Sequence, residues 1–582
     1  MNTMIKSIGK ILLALPIMIV SSCSDLTETN INPNTVLAKD IDPLFVMTKV
    51  IGESVSQNTR MLYGTGVSRS VLLEAQQYLQ RDFLESSVTN TFLWFSQSWG
   101  PDYSTPLANT SYLIQRAPGQ KDENFMMGVG LIFKSYWFGY LTSAWGDIPY
   151  SEAMRAEDGI FKPVFDEQKN VFKGILEDLD KANELLTGVS TVTGTAKTAD
   201  ILYGGDVLKW RKFANSLRLR FLMRLSEKTA DMKAIGVDVA AGIGEIASNS
   251  TKYPLITSSA DNAAYTYPGL TAADSWTGGT FNWSTRSEFY RRKPSATIIN
   301  TLKTAGDPRL TVWIRPVDVQ IVIKDMGADD KIQLDVDGKV RRYLKTYAPG
   351  VDTSLYVGLP AAQPNPDAYN KNSATVVSTV KALKSTIYSE GAANPHVSYL
   401  ADMYQKNSDP LIQCVFISAA EVNFILAEAT VRGWATGSAL DSYKKGISES
   451  LNQFKIAAGD KKVYNTKTHA LDNFDLQAFL TKAEQQYNAA ANKLEPILTQ
   501  SWIAGWMGSD AWFGWRRTGY PDLGKNIVAG GNGQKIPLRY GYGDEEKNYN
   551  IDNVNAAISR LDTKKDDQWA KMWLLQGTGK PY

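Results

Sequence analysis

The chain has 582 residues, 43% hydrophobic and 21% charged, a globular balance long enough for several domains or one large helical repeat. Its 62 basic and 60 acidic residues leave a net charge of +2, which excludes a polyanion-binding field. With two cysteines and two histidines there is neither a disulfide framework nor a His-rich zinc site.

In chain order, the first feature is a charged start (Lys6, Lys10), an apolar run 11–20, then Ser21, Ser22 and Cys23. This reads as an export signal over 1–22, too short for a membrane-spanning helix. Val20-Ser21-Ser22-Cys23 resembles the lipobox of bacterial lipoproteins, so Cys23 is the expected lipidation site. Two or more acyl chains would anchor the mature protein stably. Residues 23–40 are polar, Pro/Asn-punctuated and read as an acylated tether, leaving 41–582 as a single domain.

Helical periodicity then dominates. The spacing of Phe133, Tyr136, Trp137 and Tyr140 predicts a helix over 124–142, stopped near Gly146 and Pro149. A second is expected over 164–186 (Val171, Ile175, Leu179, Ala182, Leu186). A third covers 207–226, with Trp210, Phe213, Leu217 and Phe221 on one face. Lys209, Arg211, Lys212, Arg218, Arg220 and Arg224 spread around that third helix, which favours internal ion pairs over a nucleic-acid stripe. From about 243 to 400 the chain turns irregular and rich in Gly, Ser, Thr and Asn. Asp337-Gly338 between 332–334 and 340 marks a tight hairpin. Helices resume over 416–431 and 439–454, a pair about as long as one tetratricopeptide hairpin. The expected fold is mostly α: a tetratricopeptide-like helix-pair scaffold with long irregular loops and minor β-hairpins on the ligand face.

Several segments, in this order, resemble the SusD/RagB family of surface lipoproteins from Bacteroidetes. They are the lipobox, Trp145-Gly-Asp-Ile-Pro-Tyr150 with Glu152-Ala153, the helix 176–186, and Gly205-Asp206 leading into Trp210–Arg220. Asp307-Pro-Arg-Leu310, Glu421–Ala429, Tyr443–Ser450, Trp512–Pro521 and Pro537-Leu-Arg-Tyr540 complete the set. The Pro537–Tyr540 tail departs from the family's more usual Arg-x-x-Tyr-Pro spelling, which suggests a divergent branch. The resemblance implies a non-catalytic lipoprotein on the extracellular face of the outer membrane. It would capture an oligosaccharide, or in some branches a peptide, and cap a SusC-like TonB-dependent transporter.

Sugar recognition uses flat rings against C–H faces and polar groups for the hydroxyls. Trp276, Phe281, Asn282, Trp283 and Arg286 lie in an aperiodic Gly/Ser/Thr-rich stretch and are the first ligand-binding candidates. Trp94 and Trp99 follow, although Phe92, Phe95 and Trp99 keep the spacing of a helix core, and Tyr356 between Gly-containing turns is the third. Trp137, Trp210, Trp502, Trp506 and Trp515 fall in helical or framework segments and read as structural. Asp335-Val-Asp337-Gly338 lacks the remaining ligands of a calcium loop and reads as a turn. No cofactor is expected; a structural calcium held by scattered oxygens would leave no motif. The chain carries no P-loop, H-E-x-x-H or G-x-S-x-G. The competing classes are a surface glycoside hydrolase, which needs two carboxylates across one bond, and a pure interaction scaffold.

Overall fold

The computed structural model describes residues 41–63, 78–80, 98–282, 289, 292–361, 363, 365–385, 394–456, 461–524, 527 and 535–580. Helix α1 (Pro43–Tyr63) is the first element among the described residues, and α2 (Ala108–Arg116) continues from a π-turn at Tyr103–Leu107. Pro106 sits inside that turn, where its missing N–H loosens the helical ladder.

Helix α3 (Glu123–Trp145) is apolar on every side, and all but a few of its residues are buried, so it runs through the centre of the core. It packs against α4 (Gln168–Thr187) and α5 (Val207–Arg224). The α4 stripe read from sequence is inside, with Val171, Ile175, Leu179, Ala182 and Leu186 fully buried. Gly139 lets α3 meet α5 closely, because a Cβ there would overlap the Phe221 ring. Asp206 caps α5 by accepting from Lys209 N–H at 3.1 Å. Helix α6 (Val239–Ser248) packs on α5.

The basic residues of α5 are ion-paired or hydrogen-bonded as the spacing suggested. Lys212 meets Asp261 at 2.6 Å and Arg218 meets Asp180 at 2.8 Å towards the surface, whereas Arg220 and Arg224 turn inward. Arg211 donates to Asn183 and to the Thr251 and Lys252 carbonyls, and Lys209 to the Ala260 carbonyl.

The irregular middle contributes small sheets. Strand β1 (Ala263–Thr266) pairs antiparallel with β5 (Gln413–Ile417). Between them in sequence lie β2 (Gln320–Ile323), β3 (Asp330–Leu334) and β4 (Val340–Leu344), arranged β2-β4-β3 with β2 parallel and β3 antiparallel to β4. The expected hairpin joins β3 to β4, and Gly338 takes φ 74° in its turn. Its carboxylates are occupied: Asp335 accepts from Gln333, Arg341 and the Tyr343 hydroxyl, as a turn requires. Residues 78–80 and 292–294 also pair antiparallel, which brings two distant parts of the chain together.

Helices α7 (Ala419–Val431) and α8 (Ala439–Gln453) form the expected hairpin, and α9 (Leu476–Ala489), α10 (Leu494–Ala504) and α11 (Asp510–Thr518) complete the second half. One boundary differs from the sequence reading. Residues 416–417 belong to β5 rather than to the helix, because Cys414 and Phe416 alternate inward and Ser418 then caps α7 by accepting from Glu421 N–H. Among the described residues the architecture is mostly helical, with few and short strands.

Candidate functional site: an aromatic cleft with an ionic floor

Helices α10 and α11 are joined by a tight turn over 505–509, and the turn faces β5 and the loop that precedes it. The space between them is a cleft of about 110 Å³. Its walls are rings from separate parts of the chain: Trp276, Tyr404, Trp502, Trp506 and Trp515. Trp506 stacks on Trp313 with centroids 5.0 Å apart and planes within 4°, and its Nε1–H donates to the Tyr404 hydroxyl at 2.8 Å. Trp276 donates through Nε1 to the Tyr404 carbonyl at 3.1 Å and through its backbone N–H to the Asn407 carbonyl at 2.8 Å. These bonds hold the rings in place before any ligand arrives, the condition for tight binding by flat side chains.

The floor is charged. Arg220 and Arg224 stand one turn apart on α5 and meet Glu421 at the start of α7 and Asp510 at the start of α11. Arg220 Nη2 donates to Glu421 Oε2 at 2.6 Å and to the Phe416 carbonyl at 2.7 Å, while its Nη1 lies 3.3 Å from Asp510 Oδ2. Arg224 pairs with the other Asp510 oxygen and donates to Ser143 Oγ at 2.7 Å. The two guanidiniums are closed off (7% and 5% exposed), but the carboxylate side chains keep 19% and 25% of their surface. Burial pushes the Glu421 carboxyl above the ordinary carboxylate range, against the pull of Arg220. Arg220 is held protonated: burial opposes its charge, but Asp510 and Glu421 outweigh it.

The sequence candidates separate into three groups. Trp94, Trp283, Arg286 and Cys23 lie outside the described residues. Trp276, Trp99 and Tyr356 are core residues, 4%, 4% and 2% exposed, and as open stacking platforms they are corrected. Trp99 is enclosed by Trp145, Phe165 and Tyr542 and donates to Glu546 at 2.8 Å; Tyr356 packs edge-on against Tyr464. An aperiodic segment can still be buried when its polar backbone is satisfied, and Asn407 does this for Trp276. Trp276 nonetheless borders the cleft, and the same turn carries Phe281 outward, 52% exposed, beside exposed Asn282. Asn407 fastens this turn: its Oδ1 accepts from Phe281 N–H at 2.9 Å, and its Nδ2 donates to Thr280 Oγ1 at 3.2 Å.

Sequence reasoning missed Glu421, Asp510, Tyr404 and the wall-forming side of Trp502, Trp506 and Trp515. Those three are buried as expected, but they line a void. The only signal in the chain was the Trp502/Trp506 pair at helical spacing just before an acidic residue.

A second hollow, a groove of about 630 Å³, lies beyond the shared wall of Leu498, Trp515, Thr518 and Tyr520. Asn492 donates to the Tyr520 hydroxyl there at 3.1 Å. Among the described residues, no group of three or more His, Cys, Asp and Glu side chains is placed to hold a metal ion. No helix among them is long and apolar enough to cross a membrane.

The chain matches the SusD-like family described as "Starch-binding associating with outer membrane" over residues 34–334 and 360–543, and it belongs to that family. A SusD homologue from Bacteroides fragilis is 25% identical, with a TM-score of 0.67, covering 93% of this chain and 100% of that one. An outer-membrane protein of Bacteroides vulgatus ascribed to nutrient binding is 23% identical, with a TM-score of 0.65 and coverage of 92% and 100%. A protein described as chitin-binding is 22% identical, with a TM-score of 0.65 and coverage of 92% and 99%. No curated protein matches the chain.

Proposed function

We propose that the protein is a surface lipoprotein, tethered to the outer membrane through Cys23 and residues 23–40. In this reading it captures an oligosaccharide and hands it to a SusC-like TonB-dependent transporter, over which residues 41–582 act as a lid. Membership of a family described as starch-binding and outer-membrane-associated, across most of the chain, carries the reading. The cleft supports it, since rings beside hydroxyl-accepting carboxylates are what a sugar needs. The work is binding without catalysis and without a cofactor. Glycoside hydrolysis requires two carboxyls facing one bond, whereas Glu421 and Asp510 are both tied to Arg220 in one ionic bridge.

The test is isothermal titration of the soluble form, from Asp25 onward, against glycans and peptides, with Phe281→Ala in parallel. The expected result is saturable binding to one glycan class with no product released, and copurification of the native lipoprotein with a barrel partner. Binding to peptides alone would give the role to the peptide-binding branch. Release of shortened glycans would replace the reading with a hydrolase.

A further inference from the structure

The cleft has one closed end. Its inner lining, Tyr136, Asn58, Arg220 and Phe416, is buried, while its outer lining, including Gln413, Ser501, Gly505 and Tyr520, is half-buried. Glu421 and Asp510, which join α7 and α11 to α5, both line the cleft and keep part of their surface open. Space of about 110 Å³ holds a handful of waters, the scale of one sugar ring rather than of a chain.

The floor also has a definite hydrogen-bonding sense. Arg220 already donates to Glu421, to the Phe416 carbonyl and to Asp510, and Arg224 to Ser143 and Asp510. An ionised carboxylate accepts up to about four hydrogen bonds. Glu421 accepts two from Arg220, and Asp510 meets one nitrogen of each arginine. The unused capacity at the floor is therefore acceptor capacity on carboxylate oxygens. Hydroxyl groups can fill it by donating; a carboxylate, which only accepts, brings no donor to it.

Resting on the reading of the protein as a glycan binder, we infer that the cleft takes the terminal residue of a neutral sugar chain. It thus recognises chain ends and excludes chains terminating in a uronic acid. The remainder of the chain stays outside the cleft, where the wall formed by Trp515 and Tyr520 faces the larger groove.

Gly514 provides the test. It lines the cleft from inside α11, at an ordinary helical φ, and a Cβ built on it meets nothing within 4 Å. Gly514→Leu therefore starts its side chain in open space at the cleft wall, and Gly514→Ala controls for the change in helix propensity. Wild type and both variants are titrated with maltohexaose, N-acetylchitohexaose, xylohexaose, mannohexaose and hexagalacturonate. A long polymer of whichever neutral glycan binds then gives the stoichiometry. The expected result is binding to a neutral glycan, weakened about tenfold or more by Gly514→Leu with an unchanged melting temperature. One protein should bind per polymer chain whatever its length, because the two ends of a glycan differ. Binding that survives Gly514→Leu, several proteins per long chain, or equal binding of hexagalacturonate would overturn the inference and leave the glycan-binding role intact. Absence of binding to every glycan would overturn both.

Discussion

Glu428→Gln is the most demanding test of how the frame is held. Glu428 sits on α7, 2% exposed, and accepts from Arg517 on α11 through both oxygens, at 2.5 and 2.6 Å. Arg432 adds a third donor at 2.9 Å and passes the connection on to Glu227 at 2.9 Å; Arg517 also reaches Ser226. Burial alone would raise the Glu428 carboxyl, but Arg517 and then Arg432 hold it below the usual carboxylate range. The glutamine keeps the shape, removes the charge and turns an N–H₂ group towards guanidinium donors. Arg517, 9% exposed, is then a buried cation without its anion. Removing one partner of a buried pair costs about 3–5 kcal/mol, whereas an apolar replacement of both can be nearly neutral. The assay is urea unfolding followed by tryptophan fluorescence, for which Trp512 and Trp515 lie on the same helix as Arg517. Glu428→Gln should lower stability by that amount at pH 7, and Glu428→Met with Arg517→Met should recover most of it. Glu428 contributes above its unfolded pKa of about 4.5, and the contribution is lost as pH falls through its lower folded value, so wild type and variant should converge in acid. A loss below about 1 kcal/mol at pH 7 would mean that water already solvates the pair, and the desolvation argument would fail.

Three further results are expected. His396 is buried, and desolvation lowers its pKa from 6.5 to about 4 while its Nδ1 contacts the Val319 carbonyl at 2.7 Å. Its stabilising effect should be complete above pH 6.5 and fall by about 3 kcal/mol on acidification to pH 4, a slope that His396→Gln should remove in pH-dependent unfolding. Trp276→Ala should cost about 3–5 kcal/mol in a thermal or urea melt, since it empties a core position, while Phe281→Ala should stay within about 0.5 kcal/mol; equal effects would place the two rings wrongly. Gly514→Ala should raise stability by about 1 kcal/mol, because it adds a helix former where there is open space, and a loss would show that the space is occupied.

The frame was legible where one face of a helix meets the core. The α4 stripe and the α8 spacing gave those elements to within a few residues, because a 3.6-residue period survives any tertiary context that buries one side. It was misread at Phe416, where a five-residue strand ends in a helix cap and the two periods overlap. The cleft was not legible. Trp276, Tyr404, Glu421, Trp506 and Asp510 come from four parts of the chain, and tertiary packing, with α10 against α7 and α11 against α5, sets them side by side. Within one Gly/Ser/Thr-rich stretch Trp276 is buried, whereas Phe281 five residues on is exposed. What holds both is Asn407, remote in sequence: its backbone carbonyl accepts from Trp276 N–H and its side chain accepts from Phe281 N–H. Gly279 allows that approach, since a Cβ there would stand 2.7 Å from the Asn407 Cα.

The floor of the cleft is also part of the frame, and this decides how the site can be tested. Arg220 joins α5 to both α7 and α11, and Arg224 joins α5 to α11, so neutralising either removes an ion pair that holds these helices together. Lost binding in such a variant would report lost packing as readily as lost contact. The same holds for Trp506, whose ring is stacked on Trp313. Gly514 escapes this difficulty because it contributes no side chain to the frame and borders only the void. Phe281 escapes it from the other side, standing exposed on a turn that Asn407 holds through backbone groups. Gly514 probes the wall of the cleft and Phe281 the exposed turn next to Trp276. A ligand that spans both should lose affinity in each variant, with the two losses adding because the residues share no partner.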